Sequence, residues 1–370
     1  MTQLWLLMLF ALTCTKIYDY LHPVGWNEYS RNRRFSILFL IMTIILGGYL
    51  GLRTNYNDTY TYKIAYEQTQ SFPYFWETFN ASLSADPGFN ICNAVMKTLG
   101  VSTQSWLMVY ALVTMGLYLH FIRTNGTELT QNIYLFFCVG AYIFAGAAIK
   151  QSIATAICLC GLNLALDKKW IRYCLVVFIA MTFHVYAVIF LLVPLLRFKP
   201  WTRNTFILIV GTICIAFSLR SLLGTIVEIT SSMGEGYTVD SFKGVGVNIF
   251  RVLVCCVPIF LAMIYHKEIF EETDEHDNLF FNLAMVNGCI MFIGIFGTAN
   301  YFARLANFFV MAQAITLPWM LNKLDNSRRT LIKAFMIVGY LGFFYYSTNV
   351  VYGAFSMGHI TVGEYLQQLF

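Results

Sequence analysis

The sequence predicts an all-α polytopic integral membrane protein, and three observations carry that reading. Of 370 residues, 58% are hydrophobic and only 12% charged, whereas soluble domains are charged at about a quarter of their positions. Uncharged apolar runs recur from end to end, and roughly 20 such residues suffice to cross the hydrocarbon. Basic residues gather in alternate breaks between the runs, the bias of cytoplasmic loops. The net charge of +5 is then loop asymmetry, and no nucleic-acid partner is expected.

In chain order the runs predict spans at 1–18, 35–52, 104–122, 132–148, 150–166, 173–184, 185–196, 204–222, 247–265, 279–297, 305–321 and 331–347, about twelve transmembrane helices with some short or re-entrant. The first run has neither a basic n-region nor an A-x-A cleavage site, so it reads as a retained anchor with its N-terminus outside. Arg31, Arg33, Arg34, Arg123, Lys168, Lys169, Arg172, Arg197, Lys199, Arg203, Lys267, Lys323, Arg328, Arg329 and Lys333 share one side if 173–196 enters the membrane and returns, turning at Thr182-Phe183-His184. That side is read as cytoplasmic. A single crossing by 173–196 would put the later basic clusters outside.

The longest non-spanning piece, 53–103, reads as amphipathic helices lying on the outer surface. Its aromatics, among them Tyr56, Tyr60, Tyr62, Tyr66, Phe72, Tyr74, Phe75, Trp76, Phe79 and Phe89, suit the headgroup level. Aromatic faces also stack on sugars, but the interfacial belt is the preferred reading. With no internal repeat, P-loop or dinucleotide fingerprint, residues 1–370 form one transmembrane domain.

Nine of the ten cysteines fall in predicted spans and only Cys92 lies in an outer segment, which argues against a disulfide framework. No metal and no cofactor is expected, because no His, Cys and carboxylate cluster has ligand spacing and Asp-x-Asp is absent. The acidic run Glu268, Glu271, Glu272, Asp274, Glu275 and Asp277, with His266 and His276, reads as a solvated loop.

Charges that the topology does not need are the site candidates, since an ionisable group at membrane depth is costly unless paired or hydrated. On the outer side these are Arg53, Asp58, Lys63, Glu67, Asp86, Lys97, Lys150, Arg220, Glu228, Glu235, Asp240, Lys243, Arg251 and Arg304. Lys150, Arg251 and Arg304 each open or interrupt an apolar run. Arg53 ends one on the side that the charge bias disfavours, although a snorkelling anchor would sit there too. His184 occupies the polar break of 173–196 and has a free pKa suited to moving a proton near neutrality; a histidine that only bonds the turn is the alternative. Asp58 could serve as a base or cap a helix beginning at Thr59. Asp86-Pro87-Gly88 has turn chemistry, with a carboxylate able to bind hydroxyls. Gln151 suits either a structural or a binding role.

Several of these residues fall in an order that resembles a known family. Gly51-Leu52-Arg53 through Asp58 and Tyr62, then Asp86-Pro87-Gly88-Phe89, Lys150-Gln151-Ser152-Ile153-Ala154, Phe183-His184-Val185-Tyr186-Ala187 and Asn300-Tyr301-Phe302-Ala303-Arg304 are similar to the signposts of the EpsG family of Wzy-like polymerases. The chain departs from the pattern at Asn55 and Asn57, around Tyr56, where glycine is more usual. Asp86 stands for Glu, Lys150 for Arg and Tyr186 for a frequent serine.

The resemblance implies a metal-independent, GT-C-like membrane glycosyltransferase on the outer face of a bacterial inner membrane. It would polymerise polyprenyl-diphosphate-linked oligosaccharide repeat units into O-antigen, capsule or exopolysaccharide. Its implied partners, beyond that lipid-linked substrate, are a chain-length regulator (copolymerase) and a flippase. Such chemistry needs cations on a diphosphate leaving group and a base for the acceptor hydroxyl. His184 and Asp58 are the expected catalytic residues, and Arg53, Arg304, Lys150, Arg251, Asp86, Gln151 and Tyr301 the expected diphosphate or sugar ligands. The competing readings are an O-antigen ligase or other GT-C-like glycosyltransferase, and a lipid-linked oligosaccharide flippase or transporter, which would normally show a repeat and midplane sites.

Overall fold

The apolar runs are realised as helix almost throughout. The computed structural model describes residues 1–22, 36–234, 236, 238–242, 245–351 and 355–368. Arg31, Arg33, Arg34, Glu235, Lys243 and the Arg220 side chain, all used in the sequence reading, lie outside the described residues. In chain order the helices are α1 (Thr2–Leu21), α2 (Ile37–Gly51), α3 (Thr59–Gln68), α4 (Phe75–Thr78), α5 (Pro87–Thr98), α6 (Thr103–Asn125), α7 (Leu129–Cys138), α8 (Ala141–Ala147), α9 (Ile149–Leu166), α10 (Trp170–Phe183), α11 (Arg203–Ser232), α12 (Ile249–Cys255), α13 (Val257–Phe270), α14 (Glu275–Ile293), α15 (Ala299–Asn307), α16 (Val310–Asn322), α17 (Asn326–Asn349) and α18 (Val362–Gln367). A long 3-10 segment occupies Val185–Leu196.

Among the described residues, five elements are long and apolar enough to cross a membrane: α1, α6, α9, the run formed by α12 and α13, and α17. The number rises to seven if the bent pair α7–α8 and the two halves of α11 each count as one span. Apolar composition alone counted twelve because it does not register where a run breaks. The 14 residues of α10 extend only roughly 21 Å, short of a hydrocarbon layer of about 30 Å. The 15-residue α2 and 13-residue α16 are similarly short. The 19-residue α14 opens with Glu275 and Asp277 and carries Asn282 and Asn287 along its length.

The stretch 173–196 turns at His184, as the charge distribution requires. Extended backbone at His184 (φ −160°, ψ 115°) ends α10, and the 3-10 segment packs back along it. Lys168 before the excursion and Arg197 after it both pair with Glu275, the former at 3.6 Å. Both ends of the excursion therefore lie on one face. Asn282 secures the return by donating to the carbonyls of Leu196 (2.7 Å) and Phe198 (2.8 Å).

That face gathers the basic residues around the acidic run, which is a hub of pairings where a solvated loop was expected. Arg328 pairs with Glu268 at 2.6 Å, and the Lys323 ammonium donates to the Glu272 carbonyl at 2.9 Å. Lys333 meets Glu128 at 3.1 Å. From here the 18-residue α9 runs roughly 27 Å, so Lys150 at its start belongs to the opposite end of the molecule.

Part of the outer aromatic belt is instead a second core. Tyr66, Phe89, Trp106 and Tyr110 pack with Ile149 and Ile153, and Tyr66 stacks on Trp106 at 4.9 Å. The Trp106 indole N–H (2.8 Å) and the Tyr110 hydroxyl (3.1 Å) both donate to Asn93 Oδ1. Aromatic polar ends that find buried partners no longer need the headgroup region. Tyr60, Tyr74 and Trp76 remain exposed.

Candidate functional site

At the end of the bundle away from the basic loops, two cation–carboxylate pairs come together. Asp86 precedes Pro87, the first residue of α5, in left-handed backbone (φ 50°, ψ 56°), a conformation that aspartate tolerates better than most residues. Two residues on, Gly88 lies against α10 so closely that a Cβ would land on Thr182 Oγ1. This contact carries Asp86 to the start of α9, where the Lys150 ammonium meets its Oδ2 at 2.5 Å. Lys150 also lies 5.9 Å from the centroid of the Phe89 ring. Burial raises the Asp86 pKa from its ordinary value, with the Lys150 charge and hydrogen bond pulling the other way.

The second pair is open to solvent. Arg304 Nη2 lies 3.9 Å from Asp58 Oδ2, and both side chains are about half exposed (51% and 50%). An exposed pair of this length contributes little stability, so Arg304 can exchange its partner for an anion at small cost. The helix that carries Arg304 is more firmly held. Gln151 Nε2 donates to the Arg304 carbonyl (2.6 Å), Asn287 Nδ2 to the Ala306 carbonyl (2.7 Å), and Arg251 Nη2 to Asn307 Oδ1 (3.4 Å).

Tyr62 connects the pairs. Half-buried one turn beyond Asp58 on α3, it lies within electrostatic reach of Asp58, Asp86 and Arg304 and beside the Lys150 backbone. Burial, reinforced by the two carboxylates, pushes its hydroxyl pKa well up, so it remains a neutral donor. The sequence reading placed Tyr62 only among the aromatics and the family signposts. Its spacing of four from Asp58 on a helix, which puts both on one face, was the available signal.

His184 is half-buried where α10 ends, its ring near-parallel to Phe308 at 6.0 Å and edge-on to Tyr186 at 5.4 Å. Tyr186 in turn meets Tyr301 at 6.1 Å. Lys150 and Arg304 are its charged neighbours. The structure thus assembles Asp58, Asp86, Lys150, His184 and Arg304, with Tyr301 in the adjoining aromatic wall. Gln151 and Arg251 reach this assembly through α15, which they anchor.

Arg53 stands apart in character. It is almost wholly buried (1% exposed), with Nε donating to Thr59 Oγ1 at 3.0 Å and Nη1 to the Leu50 carbonyl at 2.5 Å. Its Nη2 is buried without a hydrogen-bond partner. Burial lowers its pKa to about 10, opposed by nearby Tyr62, Tyr142 and Tyr56, and the guanidinium remains charged at neutral pH. Lys63, an outer-side candidate by sequence, donates to Gln104 Oε1 at 2.9 Å, while Gln104 Nε2 donates to the carbonyls of Gly51 (2.6 Å) and Arg53 (3.2 Å). Both residues therefore help to build the turn that leads to Asp58.

On the basic face, ligand atoms of Asp274, His276 and Asp277 lie within 4.8 Å of one another, a proximity that linear spacing did not reveal. Helix capping accounts for part of it, because Asp274 Oδ1 accepts the Asp277 amide at 2.8 Å at the start of α14.

The fold and these pairs define the class: a polytopic helical membrane protein with a cluster of paired charges at the end opposite its basic loops. The EpsG family profile matches residues 36–359, nearly the whole chain, and the protein belongs to that family. No curated protein and no solved structure matches it.

Proposed function

We propose that the protein is a metal-independent, GT-C-like membrane glycosyltransferase that polymerises polyprenyl-diphosphate-linked oligosaccharide repeat units on the outer face of a bacterial inner membrane. The observation that carries this reading, beside membership of the family, is the exposed Arg304–Asp58 pair next to Lys150–Asp86 and His184. In the reaction, a bond forms between the acceptor hydroxyl oxygen and the anomeric carbon of the growing glycan. The bond from that carbon to the polyprenyl diphosphate breaks, and the electron pair leaves on the diphosphate. The leaving group needs cations. Arg304 takes the leading part because a guanidinium fork binds phosphate bidentately, and Lys150 supplies a second positive charge.

Engagement of Arg304 by the diphosphate frees Asp58, and Asp58 or His184 takes the acceptor proton. Asp86 keeps Lys150 aimed, Tyr62 donates to substrate oxygen, and Tyr301 offers an aromatic face to a sugar. Arg53 contributes by fixing the turn before Asp58 and by adding a buried positive charge behind the diphosphate site. A flippase supplies the repeat units from the inside, and a copolymerase sets chain length.

A flippase reading would favour charges at midplane, whereas these pairs gather at one end. Loss of the protein should leave cells carrying a single capped repeat unit, detected as the shortest surface glycan on a gel of extracted lipid-linked material. A deletion strain with no surface glycan at all would sink polymerisation in favour of export.

A further inference from the structure

The C-terminal part of the chain lies across the turn that carries Arg53. The Thr54 amide donates to the Gly358 carbonyl (2.8 Å), the Ile360 amide to the Leu52 carbonyl (3.0 Å), and the Gly358 amide to Asn55 Oδ1 (2.7 Å). Arg53 and His359 form an antiparallel bridge. The His359 ring lies on Tyr49 at 4.2 Å, and Phe355 lies 5.6 Å from Tyr56. Beyond this contact, a capping box between Thr361 and Glu364 starts α18, and Tyr365 donates to Ser105 Oγ at 3.3 Å. Buried main-chain polar groups require partners, and after α2 ends it is residues 358–360 that supply them to 52–55.

We infer that residues 355–361 form a strap whose docked state positions the catalytic turn, with Gly358 as its positioning residue. This inference rests on the glycosyltransferase reading above. The route is short. The strap holds Leu52–Thr54 from one side and Gln104 holds Gly51 and Arg53 from the other. The Arg53 Nε then fixes Thr59, the residue that follows Asp58 and opens α3. Asp58 and Tyr62 therefore take their places relative to Arg304 and Lys150 only when the strap is down. Gly358 suits its position because a Cβ there would meet Thr54 Oγ1 at 2.6 Å and Asn55 Oδ1 at 3.0 Å, so a branched side chain cannot enter without pushing both aside.

The test uses the purified full-length protein, lipid-linked repeat units and two variants. Gly358→Val should lower kcat about a hundredfold, the scale of a misplaced reacting group, with little change in KM. The Thr59–Gln68 amides should exchange with deuterium at least about tenfold faster, as expected when a local unit loses its support. In Asn55→Cys/Gly358→Cys the new thiols lie within disulfide reach, since Asn55 Cγ is 3.3 Å from the Cβ position at 358. Oxidation should restore kcat and slow exchange, because it fastens the strap in its working place. An oxidised pair that is dead while the reduced one turns over would overturn the inference, as the strap would then have to lift. Unchanged exchange in Gly358→Val would overturn it whether or not polymer forms. Failure of the parent protein to make polymer would instead count against the glycosyltransferase reading.

Discussion

At the scale of single residues, the two arginines predict different failures. Arg304→Lys keeps the charge but loses the fork, and should cut polymerisation by about a hundredfold, the low end of the range seen when one preorganised donor to developing charge is removed. Its KM for the acceptor should hold, and its thermal stability should be close to that of the parent, because the Asp58 pair is exposed. Arg53→Lys should also lose activity but through the fold, since lysine cannot serve both Thr59 and Leu50 in the same geometry. A lowered melting temperature in detergent distinguishes it from Arg304→Lys. Asp86 adds a pH dependence. Burial raises its pKa above the ordinary value of about 4, so activity that needs the ionised Asp86–Lys150 pair should fall as pH drops through that raised value. Asp86→Asn should give a lower plateau without that acid limb in a pH profile of kcat/KM. The same limb in the Asn variant would assign it to another group. Asp58, Asp86, Lys150, His184 and Arg304 were legible in sequence because ionisable groups are rare in so apolar a chain. Tyr62 and Gly358 were not, since a tyrosine among tyrosines and a glycine among many acquire meaning only from what the fold sets beside them.

At the scale of elements, the decisive device is the packing of α5 on α10 through Gly88. A valine there would collide with Thr182, and overpacking of this kind costs about 1–3 kcal/mol. Gly88→Val should thus draw Asp86 away from Lys150 and cut activity more than it lowers the melting temperature. A companion change, Thr182→Ala, should recover part of the loss by making room, whereas no recovery would mean that the contact does not set the pair. Lys63→Ala should weaken activity, because Lys63 holds Gln104 under the Arg53 turn. Lys97→Ala is the control, its ammonium reaching only the Glu67 carbonyl and the face of Tyr66 among the contacts described. Hydropathy placed the apolar runs well. It gave no account of a break such as the 49° bend between α7 and α8, whereas the break at His184 was legible from the basic residues at both ends of 173–196.

At the scale of the whole molecule, the basic loops and the paired-charge site occupy opposite ends, joined by helices such as α9. That arrangement predicts topology. A cysteine at Gln70, exposed just beyond α3, should react with an impermeant thiol reagent added to intact cells, while one at Glu271, exposed on the basic face, should react only after permeabilisation. The reverse pattern would put the site in the cytoplasm and remove the basis for an outer-face polymerase. Reconstitution is more direct still. Purified protein in liposomes should be supplied with a single lipid-linked repeat unit as both donor and acceptor, without added metal or nucleotide, and the products separated by size. The account predicts a ladder of glycans growing by whole repeat units and collapsing to the single unit in Arg304→Ala. Unextended units moved from one leaflet to the other, or a ladder undiminished in Arg304→Ala, would contradict it.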